Sequence, residues 1–600
     1  MTISLKKLLA LLPLMASSLL QAADADDRSI TNYGKGALTE IPENTRPYFY
    51  AKDADVKWFR DAKFGIFIHW DPSSLMKAEI SWHRNGPRPG IKPPTDGIPA
   101  DVYDNLYKKF NPTNFNADAW VKMIRDSGAK YMIFTTKHHG GFCMFDSKVT
   151  DYDIMNTPYG KDICKQLADA CHKYGIKLFW YYSQPDWHHP EFLSKHHEIY
   201  REYMLSQLRE LLTNYGKVDG VWFDCINTKW RHWNTPLMVK MIRTLQPGIL
   251  INSRWGWGMP GVSNNGDFDN PEQKIGSFKI DRAWESCATM GQGWSWRGGG
   301  GLMSPNACIR MLVQCVGSGG NLALDCGPRP DGMIDPPAVA NYLAMGRWLK
   351  KNGETIYATT GGPYKPGPYG VCTRKGKRIF LHILAQFPEN KPARLQLPNL
   401  KAAIQKAHTI DGQKVTFEQN ADTGCLTLDL SKVKMNDVDN IVVLELESDS
   451  MAIAPIEPAV QIAAKNAKAS TSRNKNTTPD ALIFGGKGGF EAGIHRQKAW
   501  IAKGSPAQKQ WLELELEKPE KICALTIAEP RIHKLITSFT VEYDNNGTWQ
   551  KIAHGTQIGN FYSLVFPAVK TAKVRLRIIS YKKGDPGIQS FKLFTTNCGK

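Results

Sequence analysis

The stretch TKHHGGF, residues 136–142, sets His138 beside His139, after the apolar run AKYMIF and before two glycines. Paired imidazoles can ligate a metal, move a proton or hold a hydroxylated ligand, and their neighbours decide which. A second pair, His188–His189, lies in DWHHPEF, a loop-like stretch that reads as surface. Neither pair belongs to an HxxxH or HxH motif, so the spacing carries no metal signature. Successive side chains of a strand point to opposite faces, so each pair is expected to offer at most one ligand in any direction. No GxSxG elbow occurs, which removes a serine nucleophile of that kind. A carboxylate pair remains. Asp224 closes the apolar run VDGVWFD, with Trp222 two residues earlier on the same side of the strand; a helix N-cap is the structural alternative. Glu272 in GDFDNPEQ and Glu285 in RAWESC follow the next strand, in segments expected to loop back over the same face. Two carboxylates flanking a glycosidic bond are what sugar hydrolysis requires. One attacks the carbon or activates water, and the other gives its proton to the leaving oxygen.

These residues need a scaffold. From residue 58 to 355, short β-rich runs alternate with amphipathic helical stretches. The predicted strands are 64–70, 131–138, 176–183, 218–224, 249–255 and 320–328, and helices are predicted at 117–128, 161–175 and 200–216. Alternation sustained over about 300 residues suits a (β/α)8-like barrel, whose active-site face is formed by the C-terminal strand ends. His69, His138, Tyr181, Asp224 and Arg254 all stand at such ends. Residues 356–448 change to short alternating strands with DG and TG turns, an antiparallel β-sandwich domain. Residues 449–481, rich in Ala, Pro, Ser, Thr and Lys, read as a linker, and evenly spaced strands from 482 to 600 suggest a second β-sandwich.

Composition narrows the functional classes. The 600 residues exceed one hydrophobic core, and 42% hydrophobic with 22% charged is ordinary for a globular protein. The net charge of +19 is spread along the chain without a Lys/Arg stripe, which argues against nucleic acid and suits acidic surroundings such as anionic glycans. Lys6 and Lys7, the apolar stretch Leu8–Leu20 and the small residues around Ala22 form a signal peptide over residues 1–22, so export to the periplasm or beyond is expected. No later stretch is apolar enough to span a bilayer. The 12 cysteines show no CxxC pair and no disulfide framework, and most sit in apolar runs as buried thiols do.

Eight segments taken together resemble the α-L-fucosidases of glycoside hydrolase family 29 over residues 45–448. They are WFRDAKFGIFIHW (58–70), TTKHHGGFCMFDSKVTDYDI (135–154), IKLFWYYSQPDW (176–187), VWFD (221–224), INSRWG (251–256), GDFDNPE (266–272), WESC (284–287) and GGNLALDCGPRPDG (319–332). The resemblance implies hydrolysis of α-linked L-fucose with retention, through a covalent glycosyl-enzyme. It places the nucleophile on Asp224 and the acid/base on Glu272, with Glu285 the alternative. By position, His69, Trp82, His138, His139, Tyr181, Trp222 and Arg254 are expected to line the sugar pocket, with Trp294 as an apolar wall. No metal or other cofactor is implied. The implied partners are fucosylated glycans or glycoproteins, mucin-like or Lewis-type, with α-1,3/1,4 linkages suggested by the long loop 82–99 and the appended module.

The family commonly carries an acid where this chain has Gly140, Gly at Cys225 and Asn at Asp325. The missing acid is expected to loosen the surroundings of the histidines. Arg254 poses a further question, because a guanidinium touching Glu272 favours the ionised carboxylate, whereas a general acid needs its proton. The C-terminal stretches AWIAKGSPAQKQWLELELEKPEKICALTIAEPR and VEYDNNGTWQKIAHGT resemble the discoidin (coagulation factor 5/8 C-type) β-sandwiches, many of which bind carbohydrate. The whole chain is therefore expected to be multidomain: a (β/α)8-like barrel, an antiparallel β-sandwich and a discoidin-like β-sandwich. Two rivals stay open: a catalytically inactive fucose-binding lectin, and a related glycosidase acting on another sugar.

Overall fold

Seven parallel strands build the frame that positions the site: β1 (Phe64–Ile68), β2 (Tyr131–Lys137), β3 (Lys177–Tyr182), β4 (Gly220–Phe223), β5 (Leu250–Ile251), β6 (Glu285–Thr289) and β7 (Asn321–Cys326). They hydrogen-bond in the order β5-β4-β3-β2-β1-β7-β6. The structure is a computed structural model that describes residues 32–473, 478–479, 482, 499–503, 510–530 and 534–598. The signal-peptide stretch 1–22 lies outside the described residues.

The eighth position of the barrel is occupied by a segment too short to register as a strand. Phe268 bridges Asn252 after β5, Asp269 bridges Trp284 before β6, and Glu272 bridges Cys287 within β6, all parallel. This closes the gap between the two edge strands and gives a nearly closed eight-membered parallel barrel. The β5 strand is much shorter than the predicted 249–255. The interior is filled by Phe67, Tyr131, Ile133, Phe179, Tyr181, Trp222, Leu250 and Phe268, from alternate positions of successive strands. The outer helices have ordinary sequence causes. Asn116 caps Ala117–Asp126 by accepting from Ala119 N, and Asp162 caps Ile163–Tyr174 by accepting from Lys165 N.

Residues up to Glu272, with Asp281–Cys308 and Asn321–Lys351, form one compact unit; Gln273–Ile280, Ile309–Gly320 and Asn352–Lys600 form the other. The second unit holds a five-stranded antiparallel sheet spanning Thr360–Leu446 and a three-stranded sheet of Arg394–Pro398, Cys425–Asp429 and Thr416–Asn420. Its C-terminal sandwich is built on two long strands, Trp511–Ala528 and Tyr562–Tyr581. Two expectations need correction here. Part of the expected linker is strand: Ala459–Ile462 pairs with Ser590–Thr596, and Ala464–Ala469 pairs with Trp511–Ala528. Its alanines and lysines alternate across an edge of the sandwich, a pattern that composition alone conceals. The cysteines also include one disulfide, Cys425–Cys598, which joins the first sandwich to the C-terminal strand region. Its two members lie 173 residues apart, so no local spacing marks them.

Candidate active site

The C-terminal mouth of the barrel opens into a cavity of about 190 Å³ lined by Phe67, His69, Trp82, Tyr181, Trp222, Asp224, Ile226, Arg254, Glu272 and Trp294. Asp224 stands one residue beyond β4, where the strand end delivers it to the cavity. Its Oδ2 accepts the Tyr181 hydroxyl at 3.1 Å, and its Oδ1 accepts Arg254 Nη1 at 3.2 Å. The same guanidinium reaches the other way: Arg254 Nη2 donates to Glu272 Oε2 at 2.8 Å. The arginine therefore touches both carboxylates, and its planar group also lies 4.8 Å over the Trp222 ring. Arg254 loses hydration on burial, but the neighbouring Glu272 and Asp224 charges outweigh that loss and raise its pKa well above the ordinary range. Glu272 reaches this position because the stunted eighth segment ends in line with Cys287, at the mouth.

Glu285 is elsewhere. Instead of looping over the face, it is the first residue of β6, fully buried inside the barrel. There it accepts the Tyr131 hydroxyl and, at 3.1 Å, Trp222 Nε1. Burial pushes its pKa up to about 7. It anchors Trp222 from below and does not line the cavity.

The paired histidines also differ from expectation. The β2 strand ends at Lys137, after a register irregularity between Thr135 and Lys137, and a turn closed by Gly141 N donating to His138 O follows. Strand alternation stops there, so both rings face the Asp224 side, with centroids 4.1 Å apart. One donor atom from each of His138, His139 and Asp224 lies within 4.8 Å of the others. The surroundings of Gly140 are not loosened either. Ser81 Oγ sits 3.0 Å from where a Cβ at 140 would be, accepts Gly140 N at 2.6 Å and meets His138 Nδ1 at 2.8 Å. A serine hydroxyl takes the place of the missing acid.

The hydrogen bonds fix the tautomer of His139. Ser183 Oγ lies 2.6 Å from the Pro185 carbonyl, which can only accept, so the serine proton goes there. His139 Nδ1, 2.6 Å from the same Oγ, must then be the donor. Its Nε2 is left as an unpaired buried acceptor, 3.6 Å from Asp224 Oδ2. Ser81 Oγ accepts from Gly140 N and lies 2.8 Å from His138 Nδ1, a contact that serves either tautomer of that ring. Burial holds His69, His138 and His139 well below the ordinary histidine range, so all three are neutral at neutral pH. His139 thus offers an acceptor beside Asp224, which matches a hydroxyl group.

Several functional residues were not singled out in the sequence. Phe67, two residues before His69 on one face of β1, and Ile226 both line the cavity. Asp325 Oδ1 meets His69 Nδ1 at 2.7 Å and fixes that ring. Glu79 accepts the Trp294 and Ser295 backbone N–H groups at 2.8 and 3.3 Å, which pins the Trp294 wall. Burial pushes the Glu79 pKa up to about 7. An i,i+2 rule would have found Phe67; Asp325, on β7, stood out in the sequence only as a departure from the family pattern, and Ile226 and Glu79 are set by loops that meet only in the folded chain.

Comparison with known proteins decides the family. A family model described as Alpha-L-fucosidase matches residues 43–354, and one described as F5/8 type C domain matches residues 466–591. The chain belongs to the α-L-fucosidase family. It is a glycoside hydrolase of family 29 with a C-terminal discoidin domain. Tissue α-L-fucosidase of Homo sapiens is 30% identical over 366 residues, 57% of this chain and 78% of that protein; the Bos taurus counterpart is 30% identical over 355 residues, 55% and 75%. Among solved structures, α-L-fucosidase isoenzyme 1 from Paenibacillus thiaminolyticus is 31% identical with a TM-score of 0.59, covering 66% of this chain and 99% of its own. A family 29 α-L-fucosidase from Bacteroides thetaiotaomicron, trapped as a covalent intermediate with 2-fluoro-fucosyl fluoride, is 27% identical with a TM-score of 0.58, covering 69% and 99%.

Two predictions follow from the histidine geometry of this α-L-fucosidase. Ser183→Ala frees the His139 ring to exchange tautomers, and kcat/KM falls on the order of tenfold, the worth of one buried hydrogen bond. Imidazole ¹⁵N spectra of the resting protein check the cause: His139 is protonated at Nδ1, with Ser183→Thr retaining the pattern. His139 protonated at Nε2 instead would contradict the assignment. Chelator treatment leaves activity unchanged, whereas added Zn²⁺ inhibits by capturing the His139 and Asp224 atoms. Activity lost to chelation and restored by metal would make the trio a metal centre.

Proposed function

We propose that this α-L-fucosidase is an exported, retaining exo-enzyme that releases terminal L-fucose from glycans or glycoproteins, with α-1,3/1,4-linked branches of the mucin or Lewis type as the preferred class. The observation that carries the reading is Arg254 touching Asp224 and Glu272 at the mouth of a cavity sized for a single sugar ring. One guanidinium holds the two carboxylates close to each other at the cavity, as the two carboxyl groups flanking the bond in a double displacement must be. The export reading rests on the apolar N-terminal stretch with its two lysines, and it agrees with the disulfide Cys425–Cys598. No helix among the described residues is long and apolar enough to cross a membrane.

In the mechanism, Asp224 Oδ2 attacks the anomeric carbon. As the bond to the leaving oxygen breaks, Glu272 transfers its proton to that oxygen. Water enters, Glu272 removes its proton, and the hydroxide attacks the anomeric carbon, returning Asp224 as a carboxylate. Tyr181 and Arg254 hold the Asp224 carboxylate in its orientation. Glu272, with its side chain 41% exposed, is the looser partner of Arg254. Neutral His138 and His139 receive the hydroxyls, and Trp294 packs the apolar methyl side of the sugar.

Variant kinetics test the roles. Asp224→Ala removes turnover, by about 10³-fold or more, in a folded protein. Glu272→Ala slows release from natural glycans by about 10²–10⁴-fold, the usual worth of a general acid, but slows an activated aryl fucoside far less. Glu285→Gln weakens both substrates alike through Trp222. If Glu285→Gln instead spares only the activated substrate, Glu285 is the acid/base.

A further inference from the structure

Trp257 is the one aromatic side chain of this rim that stands out of the protein, 46% exposed among the described residues, yet it is tightly held. Its indole N–H donates to the Ile226 carbonyl at 2.9 Å, and Ile226 lines the catalytic cavity two residues beyond Asp224. Its backbone is stitched to the neighbouring loop from both sides: Trp257 N donates to Thr228 O, and Trp230 N donates to Trp257 O, each at 3.1 Å. Trp257 lies three residues after Arg254, so its ring joins the two segments that deliver the nucleophile and the arginine.

Two features show that the chain builds this position at a cost. Ile226 has φ of 46°, a left-handed conformation that a β-branched residue rarely adopts, and the Trp257 indole holds its carbonyl there. Gly256, at φ of 117°, lets this loop approach its neighbour; a Cβ there would lie 2.9 Å from Trp230 Cα. Strain and close approach are spent on a ring left nearly half exposed. Exposed indole surface of this kind suits the flat C–H face of a sugar. The cavity holds one ring, so whatever is attached to that ring through the scissile oxygen must lie outside, over the rim.

We infer that Trp257 is the platform of a leaving-group subsite, stacking on the hexose to which the terminal sugar is attached. The inference rests on the fucosidase reading of the cavity and adds where the rest of the glycan sits. Discrimination between glycans is then partly a property of Trp257, separate from the groups that hold fucose.

The test compares two substrates in the full chain: a fucosylated oligosaccharide, which presents a leaving hexose, and α-L-fucosyl fluoride, which presents none. Trp257→Ala is expected to lower kcat/KM on the oligosaccharide on the order of tenfold, as loss of a stacking face does, while fluoride release stays within about twofold. Trp257→Phe, which keeps a ring but loses the N–H, recovers most of the oligosaccharide rate. Equal losses on both substrates would show that Trp257 merely supports Ile226, and no loss on either would show that the face is unused. Both outcomes overturn the subsite. Fluoride release by the unsubstituted enzyme reports on the fucosidase reading itself, so the two failures are distinguishable.

Discussion

One guanidinium between two carboxylates is the interaction on which the rest depends. Asp224 and Glu272 come from different barrel segments, and two like charges converging on a partly dry cavity repel. Arg254 relieves that repulsion by contacting both. The two contacts are unequal. Arg254 and Asp224 are each largely buried, with 17% and 18% of their side chains exposed, whereas Glu272 is 41% exposed. Breaking a buried pair costs about 3–5 kcal/mol, and an exposed one contributes about 0–1 kcal/mol. The asymmetry fits the proposed roles: a nucleophile is best held fixed, while an acid/base must part from its partner to reach the leaving oxygen.

The barrel exists to make that meeting possible. Its eighth position is a segment held by isolated bridges, the last of which sets Glu272 beside Cys287. The layers below are linked through side chains. Glu285 and Tyr131 fix Trp222, Trp222 stacks on Tyr181, and Tyr181 donates to Asp224. The buried acid Glu285 is thus linked to Asp224 through an aromatic pillar.

Much of this was legible in the sequence. Strand ends follow from apolar runs closed by polar residues, so His69, Tyr181, Asp224 and Arg254 could be placed at the barrel mouth by periodicity. The two-sandwich organisation followed from strand spacing, although the alanine-rich strands Ala459–Ile462 and Ala464–Ala469 were hidden by a linker-like composition. What could not be read depends on where regularity stops. The His138–His139 pair converges because β2 ends one residue earlier, and alternation fails at that point. Glu272 and Glu285 look alike in sequence; their separation by depth depends on which of two adjacent segments forms the true strand. Ser81, Ser183 and Asp325 act through contacts 44 to 256 residues away, which no local pattern encodes.

The central claim is that Asp224 forms the covalent bond to the sugar. The most direct measurement is peptide mass spectrometry of the protein after incubation with 2-deoxy-2-fluoro-α-L-fucosyl fluoride. The account predicts one added 2-fluorofucosyl group, on the peptide containing VWFD and at Asp224. A label on another carboxylate, or turnover without any trapped adduct, would contradict it.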